Sequence, residues 1–246
     1  MKYGIISDIH ANPVALTAVL ADGKKEGVGR WISCGDATGY GYDASACVNL
    51  LRARVDVNVM GNHDSACVGL EPPEIMMLCR NYDVDRAQRG QLSAEAKAWL
   101  QSLPYVWSAE DGSFACAHGE FTQPRAFDYI MDDQAAYQSF LSRSEPLLFV
   151  GHTHHAEYFA MNPAGKVTQK MATSFTLRKG WRYLVNVGSV GYPRADWATT
   201  YFIYDDERRH VTYRELPFDF KRYILDMMDR KVPLPEWLLA ILLAAR

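Results

Sequence analysis

Over the first sixty positions, short unbroken apolar runs alternate with segments whose apolar residues recur at helical spacing, the pattern of an α/β chain. Residues 3–6 (Tyr-Gly-Ile-Ile) predict a first strand. Asn12-Pro13 then marks a helix start over 14–25, since Asn suits the N-cap and Pro the first helical position. The unit recurs, with a strand over 30–34, a glycine-rich loop over 35–42 and Asp43 as the cap of a helix over 44–53. A third strand is predicted over 55–60.

The middle of the chain, about 65–103, reads mainly as helix, with Ser93 capping a segment over 94–103. Beyond it, aromatic and β-branched residues predict strands over 114–117, 147–150, 158–161, 182–187, 201–204 and 211–216, and hence a second sheet. Helical patterns close the chain near 220–228 and after Pro233. No linker or charge run divides it, so one domain over 1–246 is expected. The apolar stretch 237–243 falls short of the roughly 20 residues that span a bilayer. It suits a terminal helix docked on the body or on a second copy of the chain.

A formal charge of −3 lacks the basic excess with which proteins neutralise long polynucleotides, so long nucleic acid is not an expected partner. The N-terminus carries no secretory pattern, and a cytoplasmic location without membrane attachment is expected. Five cysteines (34, 47, 67, 79 and 116) form an odd set with no Cys-x-x-Cys pair, which predicts free thiols rather than a disulfide framework or thiolate zinc site.

Residues suited to binding metals follow five of the apolar runs directly. These are Ser7-Asp8-Ile9-His10, Gly35-Asp36, Gly61-Asn62-His63-Asp64, His118 and Gly151-His152-Thr153-His154. In open α/β sheets ligands gather beyond the carboxyl ends of strands, so distant segments can share one cleft. Residues two apart on extended chain project to one side, which pairs Asp8 with His10 and His152 with His154. Imidazole with carboxylate and amide oxygen suits manganese, iron, nickel or zinc.

The series Asp-x-His, Gly-Asp, Gly-Asn-His-Asp, His, Gly-His-x-His resembles the calcineurin-like metallophosphoesterase superfamily, in particular its small bacterial phosphodiesterases and phosphatases. All five blocks stand in order between Asp8 and His154, and five of the seven histidines lie within them. The resemblance implies an α/β fold of two stacked mixed sheets flanked by helices, a four-layer αββα sandwich. It implies a binuclear centre of divalent ions, manganese first, with iron, nickel, zinc or cobalt as alternatives. Asp8, His10, Asp36 and His154 would hold one ion and Asp36, Asn62, His118 and His152 the other, with Asp36 bridging. Hydrolysis of a phosphoester by water activated between the ions would follow, with His63 as general acid and Asp64 orienting it.

The bridging aspartate is followed by Ala37-Thr38-Gly39-Tyr40-Gly41-Tyr42, without the Asp-Arg-Gly of Ser/Thr protein phosphatases, and 186–194 again resembles the small bacterial branch. A small phosphorylated, nucleotide-like substrate is expected. Arg194 is the first candidate phosphate contact, followed by Arg125 and Arg178; Tyr40, Tyr42, Phe127, Tyr129 and Tyr192 are candidate stacking surfaces. His155 and His210 match no motif position and read as ordinary histidines. The competing readings are a non-catalytic scaffold of the same fold, which could dispense with ligands that this chain retains, and a nuclease, which would need a basic stripe.

Overall fold

The computed structural model describes residues 1–70, 82–194, 198–232 and 234. Strand β1 (Lys2–Ile6) leads into α1 (Pro13–Lys25), where the Asn12 side chain accepts from Ala15 N. Strand β2 (Arg30–Ser33) leads into α2 (Ala44–Arg54), capped by Asp43 accepting from Ala46 N. Strand β3 is shorter than expected, only Val57–Asn58. Asp56 N and Val59 N still donate to β2, but the next residues out bond elsewhere: Val55 N closes α2 on Leu51 O, and Met60 N donates to Pro104 O.

Helix α3 (Asn62–Val68) begins inside the third motif, followed by α4 (Tyr82–Gln91) and α5 (Ala94–Gln101), whose cap is Ser93 as expected. Strands β4 (Val106–Ser108) and β5 (Ala115–Ala117) come next. Then α6 (Asp133–Ser142), absent from the sequence-based expectation, is capped by Asp132 accepting from Ala135 N. The remaining strands are β6 (Leu147–Val150), β7 (Ala156–Met161), β8 (Val167–Met171), β9 (Phe175–Thr176), β10 (Arg182–Val187), β11 (Thr199–Asp205) and β12 (His210–Leu216), and α7 (Phe220–Asp229) follows.

Two mixed six-stranded sheets result, ordered β3-β2-β1-β11-β12-β9 and β4-β5-β6-β10-β7-β8. Parallel pairing of β1 with β2 and of β6 with β5 and β10 sets the ends of the motif-bearing strands side by side within each sheet. Alternate residues of one strand fill different cores, which is why these strands read as unbroken apolar runs. Ile5, Phe149 and Phe202 pack between the sheets. Ile6, Tyr201 and Ile203 face α1, α2 and α5, and Leu148 and Val150 face α6. Helix–sheet–sheet–helix layering follows, the sandwich that the motif series implied. Helix α7 instead packs Phe220, Tyr223 and Met227 on Tyr192.

Among the described residues no helix is long and apolar enough to cross a membrane. Cys34, Cys47, Cys67 and Cys116 are free and buried, while Cys79 and the stretch 237–243 lie outside the described residues.

Candidate metal centre

Backbone geometry at the strand ends is unusual. Of the ten non-glycine residues with positive φ among the described residues, eight are Asp8, His10, Ala11, Asp36, Tyr40, Phe127, His152 and His154. Such conformations cost of order 1–3 kcal/mol each and persist only where surrounding contacts enforce them. Here the contacts are cross-loop hydrogen bonds. Asp8 N, Ile9 N and His10 N donate to the carbonyls of Gly35 and Asp36, and Gly191 N and Ser189 Oγ donate to Asp8 O. Two glycines permit the close approach: a Cβ on Gly61 would lie 2.1 Å from Asp36 Oδ1, and one on Gly151 would lie 1.9 Å from Ser7 Oγ.

All seven residues of the two expected ligand sets meet in this one place. Ligand atoms of Asp8, His10 and His154 lie within 4.8 Å of one another, as do those of Asp36, His118 and His152. Asn62 joins the second group, its Oδ1 3.0 Å from His118 Nε2. Asp36 Oδ2 belongs to both, 3.7 Å from His10 Nε2 and 3.3 Å from His118 Nε2.

Three backbone carbonyls orient the rings. His10 Nδ1 donates to Thr38 O at 2.8 Å, His118 Nδ1 to Cys34 O at 2.8 Å and His154 Nδ1 to Tyr192 O at 2.6 Å. With Nδ1 donating outward, each ring aims its Nε2 inward, where a lone pair can ligate once that nitrogen carries no proton. His10 Nε2 and His154 Nε2 then face each other at 3.0 Å with Asp8 Oδ1 beside them, so acceptor meets acceptor. Asp8 Oδ1 and Asp36 Oδ2 are buried with no hydrogen-bond donor. Orphaned carboxylate oxygens and converging lone pairs are a poor arrangement for protein alone and a fitting one for cations.

Electrostatics agree with that donor set. Burial disfavours charge on the His10 and His152 rings and holds them at about 4 and about 3. Burial opposes charge on His118 too, but Asp36 outweighs it and lifts His118 to about 9. A cation at this set would displace that proton, because ligation needs the lone pair. Burial works against the Asp8 and Asp36 carboxylates as well, yet the neighbouring histidines hold both below the ordinary range.

His63 sits at the rim of the centre, its ring 5.1 Å edge-on from His10. The expected orienting role of Asp64 is corrected by the structure. Asp64 instead accepts from the amides of Ala37, Thr38 and Gly61 and from the Thr38 hydroxyl, holding the loop after Asp36. The carboxylate on His63 is Asp85 of α4, 3.0 Å from Nδ1. Burial alone would lower His63, but Asp85 and Asp36 raise it to about 9. Gln88, one turn on, ties the loop down by accepting from Gly39 N and donating to Gly41 O. The available signal was the helical spacing of Asp85, Gln88 and Leu92, which sets polar side chains on the buried face of α4.

The other candidates divide. Tyr40 stacks on Tyr192 at 4.3 Å, stands edge-on to His10 and lies 3.5 Å from the exposed Arg194 guanidinium. Burial pushes its phenol up to about 12. Tyr129 stacks on His152 at 3.9 Å, and Phe127 stands edge-on to His118. Tyr42, by contrast, packs on Tyr223 beneath Arg230, Arg125 lies over Tyr105 and Arg178 over Trp181; no contact among the described residues draws these three to the centre. His210 pairs with Thr176.

Residues 1–209 match the family model described as the calcineurin-like phosphoesterase superfamily domain. A crystal structure of a metallophosphoesterase from Sphaerobacter thermophilus is 33% identical, covers 100% of this chain and 99% of its own, and superposes with a TM-score of 0.81. An uncharacterized protein of Methanocaldococcus jannaschii is 29% identical over 95% of this chain and 94% of its own length. The crystal structure of a hypothetical protein from Pyrococcus horikoshii, 18% identical, shares the fold over 98% of this chain and 97% of its own with a TM-score of 0.73. With its sandwich fold and its convergent histidines and carboxylates, the chain belongs to the calcineurin-like phosphoesterase superfamily.

Proposed function

We propose that this chain hydrolyses phosphoester bonds of small, nucleotide-like substrates at a binuclear divalent-metal centre. The observation that carries the reading is the 3.0 Å approach of His10 Nε2 to His154 Nε2 beside an orphaned Asp8 oxygen, repeated around His118 and joined through Asp36. Asp8, His10, Asp36 and His154 would hold one ion, and Asp36, Asn62, His118 and His152 the other. Imidazole with oxygen donors suits manganese first, then iron, nickel, zinc or cobalt. Bound there, such ions supply Lewis-acid polarisation of phosphoryl oxygens and a water made nucleophilic near neutral pH.

The chain's own groups do the rest. Asp36, shared by both sets, offsets the mutual repulsion of two cations. His63, held by Asp85 at Nδ1, keeps Nε2–H available to donate to the departing oxygen. Tyr40 and Tyr129, packed on ligand histidines, exclude water from two sides, and Arg194 beside Tyr40 would meet a substrate phosphate at the mouth.

The test is hydrolysis of p-nitrophenyl phosphate and bis(p-nitrophenyl) phosphate by the purified chain with manganese, nickel, magnesium or a chelator. Metal-dependent release of nitrophenol from at least one ester is expected. Undiminished turnover in chelator, or none with any ion, would sink the reading.

A further inference from the structure

Next to His154, residues of both sheets line a cavity of about 650 Å³. Its walls come from the start of β7, the end of β8, and strands β11 and β12, with Met131 and Pro193 also in the lining. The volume falls within the range of about 300–1,000 Å³ typical of small-molecule sites. Because His154 belongs both to this wall and to the candidate metal set, the groove adjoins the candidate centre.

The lining identifies the occupant. Met131 and Met171 are 58% and 88% exposed, with polarizable thioethers suited to a flat apolar face. Ala156 and Ala172 add small apolar side chains to the lining. The charged side chains are two carboxylates, Glu157 and Glu215, and one ammonium, Lys170. Glu157 accepts from Gln169 Nε2 at 2.6 Å and Glu215 from the Tyr213 hydroxyl at 2.8 Å. A carboxylate can accept several donors, so both retain capacity for N–H or O–H groups. Carboxylate excess repels a second phosphate, whereas a neutral group bearing donors complements the walls.

We propose that this groove binds the neutral, flat, donor-bearing organic part of a phosphoester, a nucleoside, and selects it against a polyphosphate. The proposal rests on the hydrolase reading for the position of the phosphoryl group, and its test has an arm that needs no turnover.

In that arm the full chain carries ¹³C-methyl methionine and is titrated, with magnesium present, by adenosine 5′-phosphate, inorganic phosphate or pyrophosphate. Met131→Leu and Met171→Leu assign the two methyl signals. Adenosine 5′-phosphate should shift both, and the inorganic anions should not. Equal shifts with pyrophosphate, or none with the nucleotide, would overturn the groove assignment even if the protein hydrolyses esters well. The second arm compares kcat/KM for thymidine 5′-(p-nitrophenyl phosphate) with that for p-nitrophenyl phosphate. Met171→Glu and Glu215→Lys, both at exposed positions, should lower this ratio at least tenfold; a constant ratio counts against the groove. Failure to cleave any ester sinks the hydrolase reading, and the methyl shifts still decide the groove.

Discussion

Asp85 lies 3.0 Å from His63 Nδ1 with both side chains buried, although the two residues stand 22 positions apart in the chain. A buried carboxylate on one nitrogen of an imidazole fixes the ring's orientation and favours its protonated form. Burial raises Asp85 itself above the ordinary carboxylate value, so the pair sits in a dry environment where the interaction is strong.

Asp85→Asn retains the shape of the carboxylate and removes its charge. His63, raised from 6.5 to about 9, then falls back toward its ordinary value. As a raised group acting as an acid, it is competent below its pKa and lost above it, so the alkaline limb of the pH–rate profile should move to lower pH. Turnover should drop about 10–100-fold, the range for partners that orient a site residue. Superimposable profiles for the two proteins would refute the role.

His63→Ala should leave bound metal, measured by elemental analysis, near that of the unchanged protein. Hydrolysis of an alkyl phosphoester should slow by roughly 10²–10⁴-fold, with a smaller loss for a nitrophenyl ester whose leaving group needs no proton. Equal losses on both esters would remove the acid role.

Asp36→Ala takes one carboxylate from both candidate sets at once. Metal content should fall for both positions and turnover should vanish, whereas Asp8→Ala should affect one set more than the other. An Asp36→Ala protein that retains two ions and full rate would rule out a shared ligand.

Gly151→Ala places a methyl 1.9 Å from Ser7 Oγ and 2.3 Å from Asp8 Oδ2. Overpacking of this kind costs typically about 1–3 kcal/mol. Chemical denaturation should show that loss, accompanied by weaker metal binding. Wild-type stability and affinity in the variant would mean that the two strand ends have room to separate.

Glu145 tests electrostatics away from the centre. Burial would raise its carboxyl, but Arg143 and the Ser108 hydroxyl at 2.8 Å prevail and hold it at about 2, against an ordinary 4.5. A depressed carboxyl contributes stability above its unfolded value, and that contribution is lost as pH falls from about 4.5 toward about 2. Melting temperature should therefore fall more steeply across this window in the unchanged protein than in Glu145→Gln. Parallel curves would contradict the assignment.

Local chemistry determined much of this protein. Asn12, Asp43 and Ser93 cap the helices they were read as capping, because an N-cap satisfies amides two or three residues away. Unbroken apolar runs marked the strands buried on both faces, and the residues after them marked the cleft, since a strand end delivers its next side chains to a predictable place. Elements with weaker patterns escaped: α6 buries only Ala136, Ser139 and Phe140, and β8 is exposed beyond Val167.

Only the tertiary structure decided which carboxylate serves His63, which carbonyls turn His10, His118 and His154 inward, and that Tyr42 and Arg125 pack elsewhere. Those choices depend on hydrogen bonds and ring contacts between segments remote along the chain. Spacing along a strand or helix says where a side chain leaves the backbone, but not which distant partner packing will bring to meet it.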